Sequence, residues 1–321
     1  MTDASDRKVA VLLIVFNRPD LTRRLVDALR DVKPSLLYLS ADGPRPHRAG
    51  EAELCAATRA ELDRIDWPCR IERKFEDTNL GCGPAVASAI SWVLDAEGEA
   101  IVLEDDCIPH PSFFPFCAEL LERYRDDERV MQITGSNWDA DRAHYAGASY
   151  GFNGFAAIWG WATWARAWQH FDITMARWPD FRDSGLHDGL PLSPRFRREL
   201  RRLWDDAHHG GGEWGRQWQF TVYREHGLSI TPVVNLISNI GFREDATQTT
   251  TQGDDLADLP VHEMAFPLVH PPEVTRNPHI DRVFESAMLR KFGLGIRILR
   301  AVVPSLRVRR AIKHIVPGRR T

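Results

Sequence analysis

Three consecutive carboxylates, Glu104, Asp105 and Asp106, stand at the end of the apolar run Ile101-Val102-Leu103. Side by side such charges repel strongly unless a cation sits among them. Oxygen-only ligands suit a hard divalent ion, so the expected cofactor is Mn²⁺ or Mg²⁺. The apolar run has no alternation and reads as a strand buried on both faces. In open α/β sheets, ligands bind at the carboxyl edge, which is where these acids fall. A solvated acidic loop is the competing reading, because acids are mostly exposed. The buried strand ahead of the triplet argues against it.

Other strand ends supply what a nucleotide needs. Asn17 and Arg18 follow the apolar residues 9–16, where Arg18 could meet a diphosphate and nearby backbone a base edge. Asp42 ends a second apolar stretch and could accept from a base N–H or a ribose hydroxyl; otherwise Arg18 and Asp42 pair with each other or with solvent. Asn79, Gly81 and Gly83 precede a helix, and glycine there lets backbone approach a ligand closely. Gly81-Cys82-Gly83 matches neither the P-loop nor G-x-G-x-x-G, which speaks against a kinase or dehydrogenase. Nine of the eleven tryptophans lie between Trp138 and Trp218. Their flat faces suit the C–H faces of sugar rings, although core packing is the commoner use of tryptophan. His208, His209, His262 and His270 show no metal-ligand spacing.

The elements that must position these groups follow from periodicity and turn chemistry. Strands are expected over residues 9–16, 36–40, 70–75, 101–103 and 130–133, and again over 228–237, with the third more exposed. Helices are expected over 21–30, with Asp20 as cap, and over 51–65, 85–96, 112–125 and 194–209. Pro84 suits the first turn of its helix, and 208–212 reads as a mobile loop. Such alternation predicts an α/β fold with a doubly wound, mostly parallel central sheet. After Asn137 the alternation fades. The expected division is a domain over residues 1–280, with a nucleotide-binding half over 9–137 and an acceptor half over 138–280. A basic helical C-terminal extension follows over 281–321.

A net charge of -4 argues against bulk electrostatic binding of nucleic acid. Five cysteines without a C-x-x-C pair argue against a zinc site or a disulfide framework. The polar first eight residues lack a signal-peptide pattern, and no apolar run is long enough to span a bilayer. A cytoplasmic location is therefore expected. From Arg282 onward Glu285 is the only acid, and the basic residues alternate with Leu, Ile and Val. This tail could lie on an anionic membrane surface, making the protein peripheral, or pack as a solvated helix.

Four stretches together carry a resemblance: Phe16-Asn17-Arg18-Pro19, Ala41-Asp42-Gly43-Pro44-Arg45, Asn79-Leu80-Gly81-Cys82-Gly83 and Leu103-Glu104-Asp105-Asp106. With Gly135-Ser136-Asn137, residues 159–164 and residues 235–242, they resemble a bacterial family of nucleotide-sugar-dependent glycosyltransferases with the GT-A fold. The acidic triplet followed by Pro111-Ser112-Phe113-Phe114 is also similar to the N-acetylglucosaminyltransferase I family. The resemblance spans residues 9–270. It implies a metal-dependent, inverting transferase that moves a sugar from a nucleotide-diphosphate sugar, a UDP-sugar, to a hydroxyl of a surface polysaccharide or lipid-linked glycan. In it Asp106 touches the ion, Glu104 and Asp105 lie near ribose and sugar, and Arg18 and Asp42 hold diphosphate and uracil. Phe16, Asn17, Asn79 and Gly81 belong to the same nucleotide-sugar site, and Trp159, Trp161 and Trp214 to the sugar and acceptor pocket.

Two departures stand out. The family's W-D-x-x-W reads Trp214-Gly215-Arg216-Gln217-Trp218, so glycine replaces the aspartate expected as general base. Either Glu213, two residues earlier, takes the proton or catalysis is impaired; Asp205 and Asp206 are further candidates. The family's A-T-H-T reads Ala246-Thr247-Gln248-Thr249, and a neutral amide is a poorer metal or phosphate partner. Two alternatives remain. A sugar-1-phosphate nucleotidyltransferase should carry a Gly-rich triphosphate loop near the first strand, and none is present. A non-catalytic nucleotide-sugar-binding protein would fit Gly215 and Gln248.

Overall fold

The computed structural model describes residues 8–139, 141–210, 214–242 and 256–291. Three strand–helix pairs open the chain: β1 (Ala10–Val15) with α1 (Pro19–Leu29), β2 (Leu36–Ala41) with α2 (Glu51–Leu62), and β3 (Arg70–Phe75) with α3 (Cys82–Glu97). Next come β4 (Glu99–Glu104), a short β5 (Cys107–Pro109), α4 (Phe113–Arg123) and β6 (Val130–Thr134). The remainder comprises β7 (Tyr150–Asn153), β8 (Trp161–Trp164), α5 (Ala165–Trp168), α6 (Trp178–Asp183), α7 (Pro194–His208), α8 (Trp214–Arg224), β9 (Leu228–Pro232), β10 (Ile237–Asn239) and α9 (Pro278–Lys291).

Eight strands form one sheet in the order β3-β2-β1-β4-β8-β6-β9-β7. The first four are parallel, β8 runs antiparallel to both β4 and β6, β9 parallels β6, and β7 runs against β9. The expected mostly parallel sheet is thus present, with two reversed strands that periodicity did not show. Residues alternate across β1: Val11, Leu13 and Val15 pack with α1 and α4 on one face, whereas Ala10 and Leu12 pack with α3 and α8 on the other. Burying each such leucine contributes about 1.5–3 kcal/mol, which is why the central strands are apolar throughout. The edge strand β3 is half-exposed and carries Arg70, Glu72, Arg73 and Lys74, charges that discourage pairing with another chain.

Several expectations are corrected. Pro19 occupies the first turn of α1 with Arg18 at the cap, so Asp20 lies inside the helix and is not the cap. Residues 228–237 are not one strand. β9 ends at Pro232, which has no amide hydrogen to donate, and β10 pairs instead with β5 in a separate antiparallel ribbon. Strands from both sides of residue 137 belong to one sheet, since β7, β8 and β9 join β1–β4, and halves of a single domain can share a sheet in this way. α9 spans residue 280, with Ile280 and Phe284 fully buried and Phe284 packed on Trp138 and Phe155. The remaining basic tail lies outside the described residues, as do Glu213 and residues 246–249. No helix among the described residues is long and apolar enough to cross a membrane.

Candidate functional site

Parallel register brings the strand-end residues together. Ile14 lies beside Glu104 and Val15 beside Ala41, while Ala41 lies beside Phe75. Whatever follows β1, β2, β3 and β4 must therefore emerge at one edge. A cavity of about 570 Å³ opens there, within the usual range for ligand pockets. Its walls include Phe16, Asn17, Arg18, Asp42, Asn79, Gly81, Glu104, Asp105 and Asp106, all expected from the sequence, together with Trp159 and Trp214. Trp161 is different. It is 1% exposed, sits in β8, and packs against Trp214 and Trp218 with ring centroids 5.7 Å away in both cases, so it is core and not cavity wall.

A cation does sit among the acids, and it is Arg18. Its Nε donates to Asp105 at 3.2 Å and its Nη1 to Asp106 at 3.0 Å, while Nη2 closes the bidentate pair with Asp105. The guanidinium does not pair with Asp42, the partner considered from sequence. Burial works against the Arg18 charge, but Asp105 and Asp106 outweigh it and hold its pKa above the ordinary value. Asp105 is 2% exposed. Burial pushes its carboxyl up to about 6, and Asp106 adds to the rise while Arg18 opposes it. Asp106 is pinned from the other side: its carbonyl accepts from Ile240 N at 2.9 Å, and a Cβ on Gly241 would lie 2.2 Å from its Oδ2. Only glycine lets the segment after β10 pass over that carboxylate.

Asp42 is largely occupied within the fold. It accepts from Gly43 N at 2.8 Å, Leu80 N at 2.9 Å and Asn79 Nδ2 at 2.8 Å, tying the end of β2 to the loop before α3. A carboxylate has about four acceptor positions, so one remains for a ligand. Gly81 caps α3 with φ of 86°, a conformation that favours glycine.

Glu51 was not foreseen as part of this corner. It accepts from Arg45 N and Nε, both at 2.8 Å, and from Asn17 Nδ2 at 3.2 Å. The Arg45 hydrogen bonds hold its carboxyl down at about 2. Arg45 in turn lies 5.5 Å from the centre of the Phe16 ring. Only an acid in the first turn of α2 hinted at this, and its partners lie in other loops.

The far end of the cavity is apolar, built from residues 155–159 and from α7, α8 and α9. Trp138 and Trp159 meet there at 5.5 Å. Gly215 stands where the resemblance places an aspartate, and a Cβ at that position would lie 2.6 Å from Ile158 Cδ1. The space a carboxylate would need is filled by isoleucine. Asp205 is committed to Trp178 Nε1 at 2.9 Å and Arg182 at 3.1 Å, and Asp206 to Arg216 at 3.1 Å.

For a divalent ion, no group of three or more His, Cys, Asp or Glu among the described residues forms a protein cage. Asp106 and Asp105 nevertheless offer hard oxygens at a cavity wall, and Mg²⁺ is commonly held by one or two carboxylates plus a ligand's phosphates. The residues fit an ion that a phosphate completes.

No protein-family model and no curated protein matches the sequence. Among solved structures, a UDP-glucose pyrophosphorylase complexed with UDP-glucose aligns at 8% identity over 70% of this chain and 91% of its own, with a TM-score of 0.33. The apo form of mouse xyloside xylosyltransferase 1 aligns at 14% identity over 67% of this chain and 81% of its own, with a TM-score of 0.30. Likeness at this level carries no weight for activity.

Proposed function

We propose that the protein is a glycosyltransferase that takes a sugar from a nucleotide-diphosphate sugar, a UDP-sugar, and places it on an acceptor hydroxyl. The observation that carries this reading is the single cavity in which Arg18, Asp42, Asn79 and the 104–106 acids meet, continuous with an aromatic chamber. In the GT-A manner implied by the sequence resemblance, Phe16, Asn17, Asp42 and Asn79 would receive base and ribose. Arg18 would turn from the carboxylates toward the diphosphate. Asp106, seconded by Asp105, would hold Mn²⁺ or Mg²⁺, which when bound neutralises the leaving diphosphate. Arg18 and such an ion answer the same electrostatic need, so each can release the other. With Gly215 unable to accept a proton, Glu213 is the proposed base for the acceptor hydroxyl.

Calorimetry with UDP, with and without Mn²⁺, followed by UDP-sugar hydrolysis on the same sample, tests the proposal. Binding enhanced by the metal, with slow hydrolysis, is expected. Absence of UDP binding refutes the reading, and binding without hydrolysis or transfer favours a non-catalytic nucleotide-sugar-binding protein, the reading that Ile158 packed over Gly215 supports.

A further inference from the structure

The two ends of the cavity differ in what they can bind. The strand-end wall is charged. An apolar part of the lining is made by Phe155, Ile158, Leu200, Leu203, Trp204 and Met288, all but Ile158 drawn from one hydrophobic cluster. Polar groups bordering that apolar part are spent on the protein itself. Gln219 accepts from Ala156 N at 2.9 Å and donates to Gly154 O at 3.1 Å, and Arg216 is paired with Asp206 at 3.1 Å. The Trp138 indole N–H is the exception: it has no hydrogen-bond partner among the described residues, but it is buried away from the cavity surface and so offers a ligand no donor. A sugar ring carries a hydroxyl on most of its carbons, and each one desolvated without a partner opposes binding. An apolar group suffers no such penalty and gains from leaving water.

We propose that this end of the cavity is the subsite for an acceptor whose hydroxyl is borne on an apolar group, an alkyl or prenyl chain or an aromatic ring. The acceptor role rests on the function proposed above; the apolar binding does not. The loss of a carboxylate at Gly215 belongs to the same design. Glycine lets Ile158 lie against α8, and the chamber gains an aliphatic surface where the resemblance would place a charge. The inner face of α7 completes it, with Leu200, Leu203 and Trp204 repeating at helical spacing.

Methyl, butyl, hexyl and octyl β-glucosides, each below its micelle concentration, are the probes, titrated calorimetrically with and without saturating UDP; cellobiose is the carbohydrate comparison. Affinity is expected to rise about fourfold per added methylene until the chamber is filled. Leu203→Gln and Met288→Gln, on different helices and each verified as folded by its thermal melt, are both expected to flatten that rise while leaving methyl glucoside and UDP affinity within twofold. Affinity independent of chain length, a rise that survives both substitutions, or cellobiose binding more tightly than octyl glucoside overturns the proposal. UDP binding with a flat alkyl series removes this inference alone. An intact alkyl series without UDP binding removes the nucleotide-sugar reading and leaves the apolar subsite standing.

Discussion

Replacing Arg18 with methionine removes the one positive charge that bridges Asp105 and Asp106 among the described residues, while keeping a side chain of similar length. At 3.0 Å and an effective dielectric constant near 20, each close charge pair has a gross attraction of about 5 kcal/mol. Most of this is offset by the cost of desolvating the partners. Deleting one member of a buried pair nevertheless costs about 3–5 kcal/mol, because the remaining charge stays buried. Arg18 and Asp106 retain 20% and 13% side-chain exposure, which lowers the expected loss to about 2–4 kcal/mol. For a chain of 321 residues that corresponds to a fall in Tm of about 3–6 °C. Urea unfolding and thermal melts at pH 7.5, where Asp105 is ionised, measure it. Adding Asp105→Asn to the variant should recover most of the loss, since it removes one of the two repelling charges. Mn²⁺ should stabilise Arg18→Met more than the native protein, by up to about 2.7 kcal/mol at a hundredfold excess over its Kd. A variant that melts within 1 °C of native and ignores Mn²⁺ would show that the acids do not need a cation, and the electrostatic account of this corner would fall.

Gly241→Ala places a methyl group 2.2 Å from Asp106 Oδ2, so either the carboxylate or the overlying segment must shift. Metal-stimulated UDP binding is expected to weaken at least about tenfold for a displaced ligand; unchanged calorimetric affinity would remove Asp106 from the site. Gly215→Asp overpacks Ile158 and should destabilise by about 1–3 kcal/mol. Combining it with Ile158→Ala should relieve much of that cost, and strictly additive unfolding energies would contradict the contact. The raised Asp105 pKa makes folding more favourable at pH 4, where the native state holds the extra proton. That contribution is lost as pH climbs through about 6. Glu51, held down at about 2, acts in the opposite sense, and its contribution disappears as pH falls from about 4 toward 2. Denaturant midpoints between pH 4 and 7 should therefore fall less steeply, or rise more, in Asp105→Asn than in the native protein; superimposable profiles would refute the assignment.

Much of the first half was legible because its signals are local. The uninterrupted apolar runs of β1, β2 and β4 needed no partner to announce two-sided burial, and the acids after Leu103 marked a strand's carboxyl end. In the second half, β8 reads as an aromatic cluster, and nothing in Trp161-Ala162-Thr163-Trp164 says that it reverses direction between β4 and β6. The same ambiguity misplaced Trp161, because a tryptophan that stacks on sugar and one that fills a core have the same composition. Pro232 was a visible break that the hydrophobic pattern around it concealed.

The sequence alone determined which residues stand at the strand ends, because alternation, apolar runs and turn residues act over a few positions. The tertiary structure decided what each of them faces. Arg18 and Asp105 are 87 residues apart in the chain. Their pairing follows from β1 lying beside β4, and that neighbourhood is a property of the sheet and not of either segment. Likewise Gly241 and Gly215 are ordinary glycines in the chain, and only the approach of Asp106 and Ile158 gives them a reason. Long-range packing turns a list of capable side chains into a corner where Arg18 meets the buried Asp105 and the half-buried Asp106, with an apolar chamber beside it.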